Sequence, residues 1–255
     1  MQEDSDASLN SGLKSEFKMN IPGKSPVPEY LYRYRGITKE TISREIDAIA
    51  SFSIYGSLFR NLNDPMEGIY SGISQSNDRS EFKNSVERIL YNKLRKRICA
   101  FSEEYDNHLM WAHYAGQSQG ICIRYDTKLI SSHLKDDRAD LIRVKYAKNP
   151  ISIKLSHPDS ENTEENTKTI LRYKSLHWKN EREWRMMFDI PDHNDIDKGF
   201  PIDIGESISR IYFGTRISSE HKADIIKSVK NNYQNCSFYN MAIDGYTMRF
   251  HEEQT

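Results

Sequence analysis

Trp178-Lys179-Asn180-Glu181-Arg182-Glu183-Trp184-Arg185, running on through Met186 to Phe188, is the stretch that decides the fold. Read as a strand, it points Glu181, Glu183 and Arg185 to one face and Arg182, Trp184, Met186 and Phe188 to the other. The second face is apolar enough to lie on a core. The first carries two acids about 7 Å apart, two strand rises. Acids that close raise one another's pKa and suit acid/base work or stabilisation of an oxocarbenium ion. The same pattern also suits an ion-pair ladder to arginines on a neighbouring strand.

Outward from this stretch the chain alternates strands and helices. Tyr30-Leu31-Tyr32-Arg33-Tyr34-Arg35 reads as a strand with its tyrosines on one face and Leu31, Arg33 and Arg35 on the other. A helix is expected from Thr38 to Ala50, with Thr38 as N-cap. A strand near 51–59 follows, then the turn Asn63-Asp64-Pro65-Met66-Glu67-Gly68. Glu81–Arg97 reads as an amphipathic helix with the stripe Val86, Ile89, Leu90 and Leu94. Ile98–Ser102 and Ile121–Tyr125 read as strands on either side of a helix from Asp106 to about Ala115 that ends at Gly116. A strand is expected at 141–146, an exposed loop or helix start at 154–167, and a helix from Thr169 to Trp178. The chain closes with a strand at 208–213, a helix at 219–231, and two alternating runs around Asp244-Gly245, a hairpin signal. The expected fold is a single α+β domain over 29–255, with about eight strands in a twisted, mostly antiparallel sheet and about five helices. Residues 1–28, polar and closed by Pro22, Pro26 and Pro28, are expected to be a disordered tail.

The formal net charge of −1 argues against bulk attraction to polyanions while leaving room for a local basic cleft. Cys99, Cys122 and Cys236 are widely spaced, and the first two sit in apolar runs. They are expected to be buried thiols in a reducing cytoplasm rather than disulfides or metal ligands. No run suggests a signal peptide or a membrane span, and neither His-Glu-x-x-His nor paired cysteines suggest a metal. No P-loop and no Gly-x-Gly-x-x-Gly is present.

Several segments recur together in one order: Leu-Tyr-Arg-Tyr-Arg-Gly, Asn-Asp-Pro-Met-Glu, Asp-Asn-His-Leu-Met-Trp-Ala-His-Tyr, Gln-Gly-Ile-Cys-Ile, Trp-Lys-Asn-Glu-Arg-Glu-Trp-Arg and Ile-Tyr-Phe-Gly. From about Tyr30 to Gly214 this resembles the bacterial domain of unknown function family 2971, which implies no activity. More distantly the layout resembles the ADP-ribosyltransferase fold. Those enzymes place an Arg or His on the first strand, Ser on a middle strand and Glu-x-Glu on a late one. Arg33 or Arg35, Ser102 and Glu181-x-Glu183 stand in that order here, although Phe101-Ser102-Glu103 replaces the usual Ser-Thr-Ser.

This second resemblance implies a cytoplasmic, NAD-consuming enzyme of toxin or phage-defence type, with NAD as substrate. Glu183 would be the key acid and Glu181 would orient the nucleophile. Arg33 and Arg35 would hold phosphate through their guanidinium forks. Tyr34 and Ser102 would line the pocket. Trp111 reads as core or as a stacking platform, and His113 as a general acid/base or phosphate contact. The arginines have a competing assignment as salt-bridge partners of Glu181 and Glu183. Two further function classes stand beside the transferase: a metal-independent nuclease or other phosphodiester-acting enzyme using His113, Glu183 and the arginines, and a non-enzymatic nucleotide sensor. The macromolecular target, protein or nucleic acid, is open at this stage, and no membrane partner is expected.

Overall fold

A computed structural model of the chain describes residues 26–74, 77–134, 139–155, 162–191 and 198–254. The strands are β1 (Tyr30–Arg35), β2 (Ser53–Gly56), β3 (Tyr70–Ser74), β4 (Lys96–Ser102), β5 (Ile121–Asp126), β6 (Ala139–Arg143), β7 (Lys145–Ala147), β8 (Ile151–Leu155), β9 (Tyr173–Ser175), β10 (Glu183–Asp189), β11 (Phe200–Asp203), β12 (Ile208–Phe213), β13 (Ser237–Asp244) and β14 (Thr247–Glu252). The α-helices are α1 (Ile42–Ala50), α2 (Arg79–Arg95), α3 (His108–Tyr114), α4 (Thr127–His133), α5 (Asn162–Arg172) and α6 (Ser219–Asn232).

Eight strands form one sheet in the order β14-β13-β12-β5-β1-β4-β10-β6. Its neighbours are antiparallel except β12 and β13, which the crossover helix α6 makes parallel. This is the expected α+β class. The remaining short strands pair two by two, as β11-β2, β3-β8 and β7-β9.

The alternation read from the sequence sorts the two faces. Leu31, Phe101, Ile121, Ile123, Trp184, Met186 and Phe188 lie on one, joined by Ile49 of α1, Ile130 of α4, and Ile225 and Val229 of α6. Tyr34, Cys122, Tyr212 and Met241 lie on the other, with Met110 and Trp111 of α3. Cys99 and Cys122 are buried free thiols. The Asp244-Gly245 hairpin forms as expected, Gly245 supplying the positive φ of 60° that its tight turn needs.

Element ends differ from the sequence reading, at α2 and α3 because side-chain caps settle them. Asp78 accepts from Ser80 N–H and starts α2 two residues early. Asn107, not Asp106, caps α3, accepting from the Leu109 and Met110 N–H groups. Residues 38–41 form turns, and α1 begins at Ile42. The helix expected to reach Trp178 ends at Arg172 instead and gives way to β9 and a 3₁₀ turn over Leu176–Glu181. Of the expected tail, residues 1–25 lie outside the described residues. Val27 packs on the core and the Pro28 carbonyl accepts from the Thr127 hydroxyl, so the chain is docked before residue 29. Part of the stretch 154–167 also lies outside; its described ends belong to β8 and α5. Among the described residues, no helix is long and apolar enough to cross a membrane.

Candidate functional site

The sheet is split where its site lies. β1 pairs with β5 along its whole length, but with β4 at Tyr32↔Ser102 alone among the described residues. Further along β4, the Ile98 N–H and C=O exchange hydrogen bonds of 2.8 and 2.9 Å with Ser57 rather than with β1. Gly56 permits this approach: a Cβ there would lie 2.7 Å from Arg97 Cβ and Phe188 Cζ. With Ser57 occupying the edge, β1 and β4 diverge, and a cavity of about 440 Å³ opens between them. Tyr32, Arg33, Tyr34 and Arg35, four successive residues from both faces of β1, all line it. Backbone polar groups two residues apart on a strand point the same way. The Ala100 N–H and C=O, midway between the Ser57 and Tyr32 bridges, therefore face the gap.

On the far wall stands a buried ionic cluster. Glu181 is not on the strand: it ends the 3₁₀ turn, and Arg182 in the left-handed region (φ 45°) swings the chain into β10 at Glu183. Both acids still converge on one cation. Lys174 Nζ lies 2.5 Å from Glu181 and 3.0 Å from Glu183. Arg185 donates from Nε to Glu183 at 2.7 Å and from its terminal nitrogens to Glu67 at 2.9 and 2.5 Å. The Tyr114 hydroxyl donates to the other Glu181 oxygen, and the Tyr146 hydroxyl accepts from the Glu183 N–H at 2.8 Å. Arg185 and Glu67 are sealed, with side chains 0% and 1% exposed.

Three carboxylates face two cations here, and burial sorts them. Burial pushes the Glu67 carboxyl up despite Arg185. It also pushes Glu181 up, with Glu183 adding to the rise and Lys174 and Tyr114 opposing it. Burial acts on Glu183 in the same direction, but Arg185 and Lys174 outweigh it and bring that carboxyl down to about 2. Burial would lower Lys174, and the two carboxylates more than offset it. Glu183 is thus a fixed negative charge, and Glu181 is the acid poised to exchange a proton.

A carboxylate held below its ordinary value of 4.5 adds stability above that pH and loses it as pH falls toward 2. Glu67 and Glu181, held high, act in the opposite sense: they favour the fold below pH 4.5 and cost stability as pH rises through their own raised values. The Glu183 contribution is about 3 kcal/mol by linkage. The difference in urea midpoint between pH 5 and pH 3 should therefore shrink in Glu183→Gln. An undiminished difference would remove Glu183 from the acid limb.

The arginines of β1 make other contacts than the ladder the sequence suggested. Arg35 pairs with Glu45 of α1, its Nε 2.9 Å from the carboxylate, while Arg33 donates to the Tyr55 carbonyl at 3.0 Å. Arg44 also reaches Glu45, at 3.3 Å. Two guanidinium groups, Arg35 and Arg44, thus share one carboxylate with Arg33 beside them, and the cavity is electrically polarised: surplus positive charge at β1, and at β10 three carboxyl groups gathered on two cations.

Of the other candidates, Tyr34 and Ser102 line the cavity. The Tyr34 hydroxyl donates to the Glu104 carbonyl at 2.7 Å, and the Ser102 hydroxyl to the Glu181 carbonyl at 2.8 Å, so both brace the wall. Trp111 belongs to the core: it is 1% exposed, its Nε1 donates to the Tyr105 carbonyl, and it does not reach the cavity. His113 lies on the surface, its ring 6.3 Å from that of Trp178, and it is not at the cavity either. Sequence reasoning missed Lys174, which it placed mid-helix. Glu67, from the Asn63–Gly68 turn, lines the cavity while its carboxylate is buried against Arg185. Among the described residues, no group of three or more His, Cys, Asp or Glu is disposed to hold a metal ion.

No curated protein and no solved structure is similar to this chain. Residues 110–186, the stretch that contributes Tyr114, Lys174, Glu181, Glu183 and Arg185, match the family model described as protein of unknown function (DUF2971), in keeping with the motifs.

Proposed function

We propose that the cavity takes NAD and breaks the bond between nicotinamide and ribose, in the manner of ADP-ribosyltransferases. The observation that carries this reading is the polarised cavity. A ligand that satisfies both walls has phosphate at one end and a cationic, glycosidically linked ring at the other, which describes NAD and not an ordinary nucleoside triphosphate. Arg33 and Arg35 meet the pyrophosphate. The Ala100 N–H and C=O suit a primary carboxamide, which needs one acceptor and one donor. The volume falls in the ordinary range for small-molecule sites, roughly 300–1,000 Å³.

In the reaction, the C1′–N bond breaks and its electron pair leaves with nicotinamide, discharging the pyridinium. Positive charge builds on the ribose, and the permanently ionised Glu183 stabilises it. A water or acceptor nucleophile then forms the new bond to C1′ and passes its proton to Glu181. Two buried free thiols and one part-buried thiol fit a cytoplasmic enzyme, and NAD turnover fits a toxin or phage-defence effector. The nuclease reading loses its general acid, because His113 is away from the cavity.

A sensor without turnover is the second reading, favoured by one observation: Glu183 is already bonded to both Arg185 and Lys174. Incubation with NAD, alone and with cell extract, followed by chromatography for free nicotinamide, separates the two. The expected result is release in catalytic excess over enzyme. No release in either mixture overturns the transferase; thermal stabilisation by NAD without product then identifies the sensor, worth about 2.7 kcal/mol at a hundred times Kd.

A further inference from the structure

The sheet face outside the cavity carries a feature that the cavity does not explain. Arg124 of β5 and Arg210 of β12 are direct cross-strand partners on one face. Like charges in that relation are destabilising, and sheets ordinarily place an acid opposite a base. Among the described residues, neither arginine has a carboxylate ion-pair partner. Arg124 donates from its Nε to the Ser209 hydroxyl at 2.9 Å, and among the described residues its terminal nitrogens make no hydrogen bond. The Arg210 Nε is buried with no hydrogen-bond partner. Each guanidinium lies over a tyrosine, Arg124 4.1 Å from the Tyr30 ring centre and Arg210 5.0 Å from that of Tyr239. A third tyrosine, the half-buried Tyr32, is the cross-strand neighbour of Arg124, its ring 6.3 Å from that of the buried Tyr212. Tyr32 also lines the cavity, so this aromatic face runs up to the cavity mouth.

An unneutralised arginine pair calls for an anion, and flat rings on either side call for planar groups attached to it. We infer that this face binds unpaired nucleic acid, with backbone phosphate at Arg124 and Arg210 and bases laid on the flanking tyrosines. Stacking on aromatic rings is how sheets hold single strands, and it is open only to bases that are not already paired. The net charge of −1 is no obstacle, since two local cations and stacking supply the attraction rather than a bulk field. The inference stands independently of what the cavity holds.

The test is fluorescence anisotropy of a labelled oligouridylate of about twelve nucleotides, titrated with the full chain in the absence of NAD. Saturable binding is expected, weakened about tenfold or more in Arg124→Gln and in Arg210→Gln. Each substitution should lower the magnitude of the salt slope by roughly 0.7. Tyr30→Leu, which keeps both charges, should weaken binding several-fold and leave the salt slope unchanged. Thermal midpoints identify any variant that has not folded, and the wild-type arms decide without variants. Absence of binding by the wild type overturns the inference. So does a duplex of the same length bound as tightly as the single strand. Displacement by uridine monophosphate at equal phosphate concentration overturns it too, and reassigns the arginines to a free phosphate monoester.

Discussion

Arg185→Leu should cost the fold about 3–5 kcal/mol, the range found when one partner of a buried ion pair is removed. The guanidinium is fully buried and donates to Glu183, to both oxygens of Glu67 and to the Leu171 carbonyl at 2.5 Å. A leucine fills part of the volume and neutralises nothing. Two buried carboxylates would be left to Lys174, which already serves Glu181. The structure connects elements far apart in sequence: Glu67 is 118 residues from Arg185. Its loss therefore loosens the 63–68 turn from β10 as well as the acids. The check is a urea or guanidinium titration at neutral pH. A loss under about 1 kcal/mol, the size of an exposed pair, would show that the cluster is not held as described. Adding Glu67→Leu to Arg185→Leu should recover part of the loss, because removing both charges spares the desolvation penalty that removing one exposes.

How much of this was legible beforehand depends on how local the cause is. Trp184, Met186 and Phe188 sit on the core because alternation alone separates them from Glu183 and Arg185. β12 is bounded as the sequence reading drew it, and the Asp244-Gly245 hairpin follows from its turn residues. Glu181 escaped its assigned strand because an arginine with positive φ follows it, and nothing in an arginine announces that conformation. Lys174 was hidden by its element: β9 has three residues, too few to show a period, and forms because β7 lies beside it. Arg35 finds its partner ten residues on, in Glu45, through a helix packed against β1. The ladder to Glu181 and Glu183 was equally reasonable by residue type, and the split between β1 and β4 is what removed it. That split has no sequence mark beyond Gly56, whose reason becomes visible only with Arg97 and Phe188 packed against it.

The split also gives the two acids different work, and this sets the second large expectation. If NAD cleavage is the reaction, Glu183→Gln should lower nicotinamide release by about a hundredfold to a thousandfold, the cost of deleting one preorganised electrostatic group. The effect should fall on kcat more than on KM, because positive charge on the ribose grows toward the transition state. Its pH dependence should be flat from neutrality down to the acid limit of the fold, since a group held at about 2 stays ionised throughout. Glu181 should behave differently. Burial holds its carboxyl above the ordinary value of 4.5, and a general base must be unprotonated to act. The wild-type rate should therefore climb with pH through that raised value and then level off. Glu181→Gln should abolish the climb and leave a lower, pH-independent rate, with the larger loss where the acceptor must give up a proton. Rate–pH profiles of the wild type and both variants decide the assignment. A climb that survives in Glu181→Gln and disappears in Glu183→Gln would exchange the two roles. A climb that survives in both would point to Tyr114 or Lys174, which share hydrogen bonds with Glu181, as the group that moves the proton.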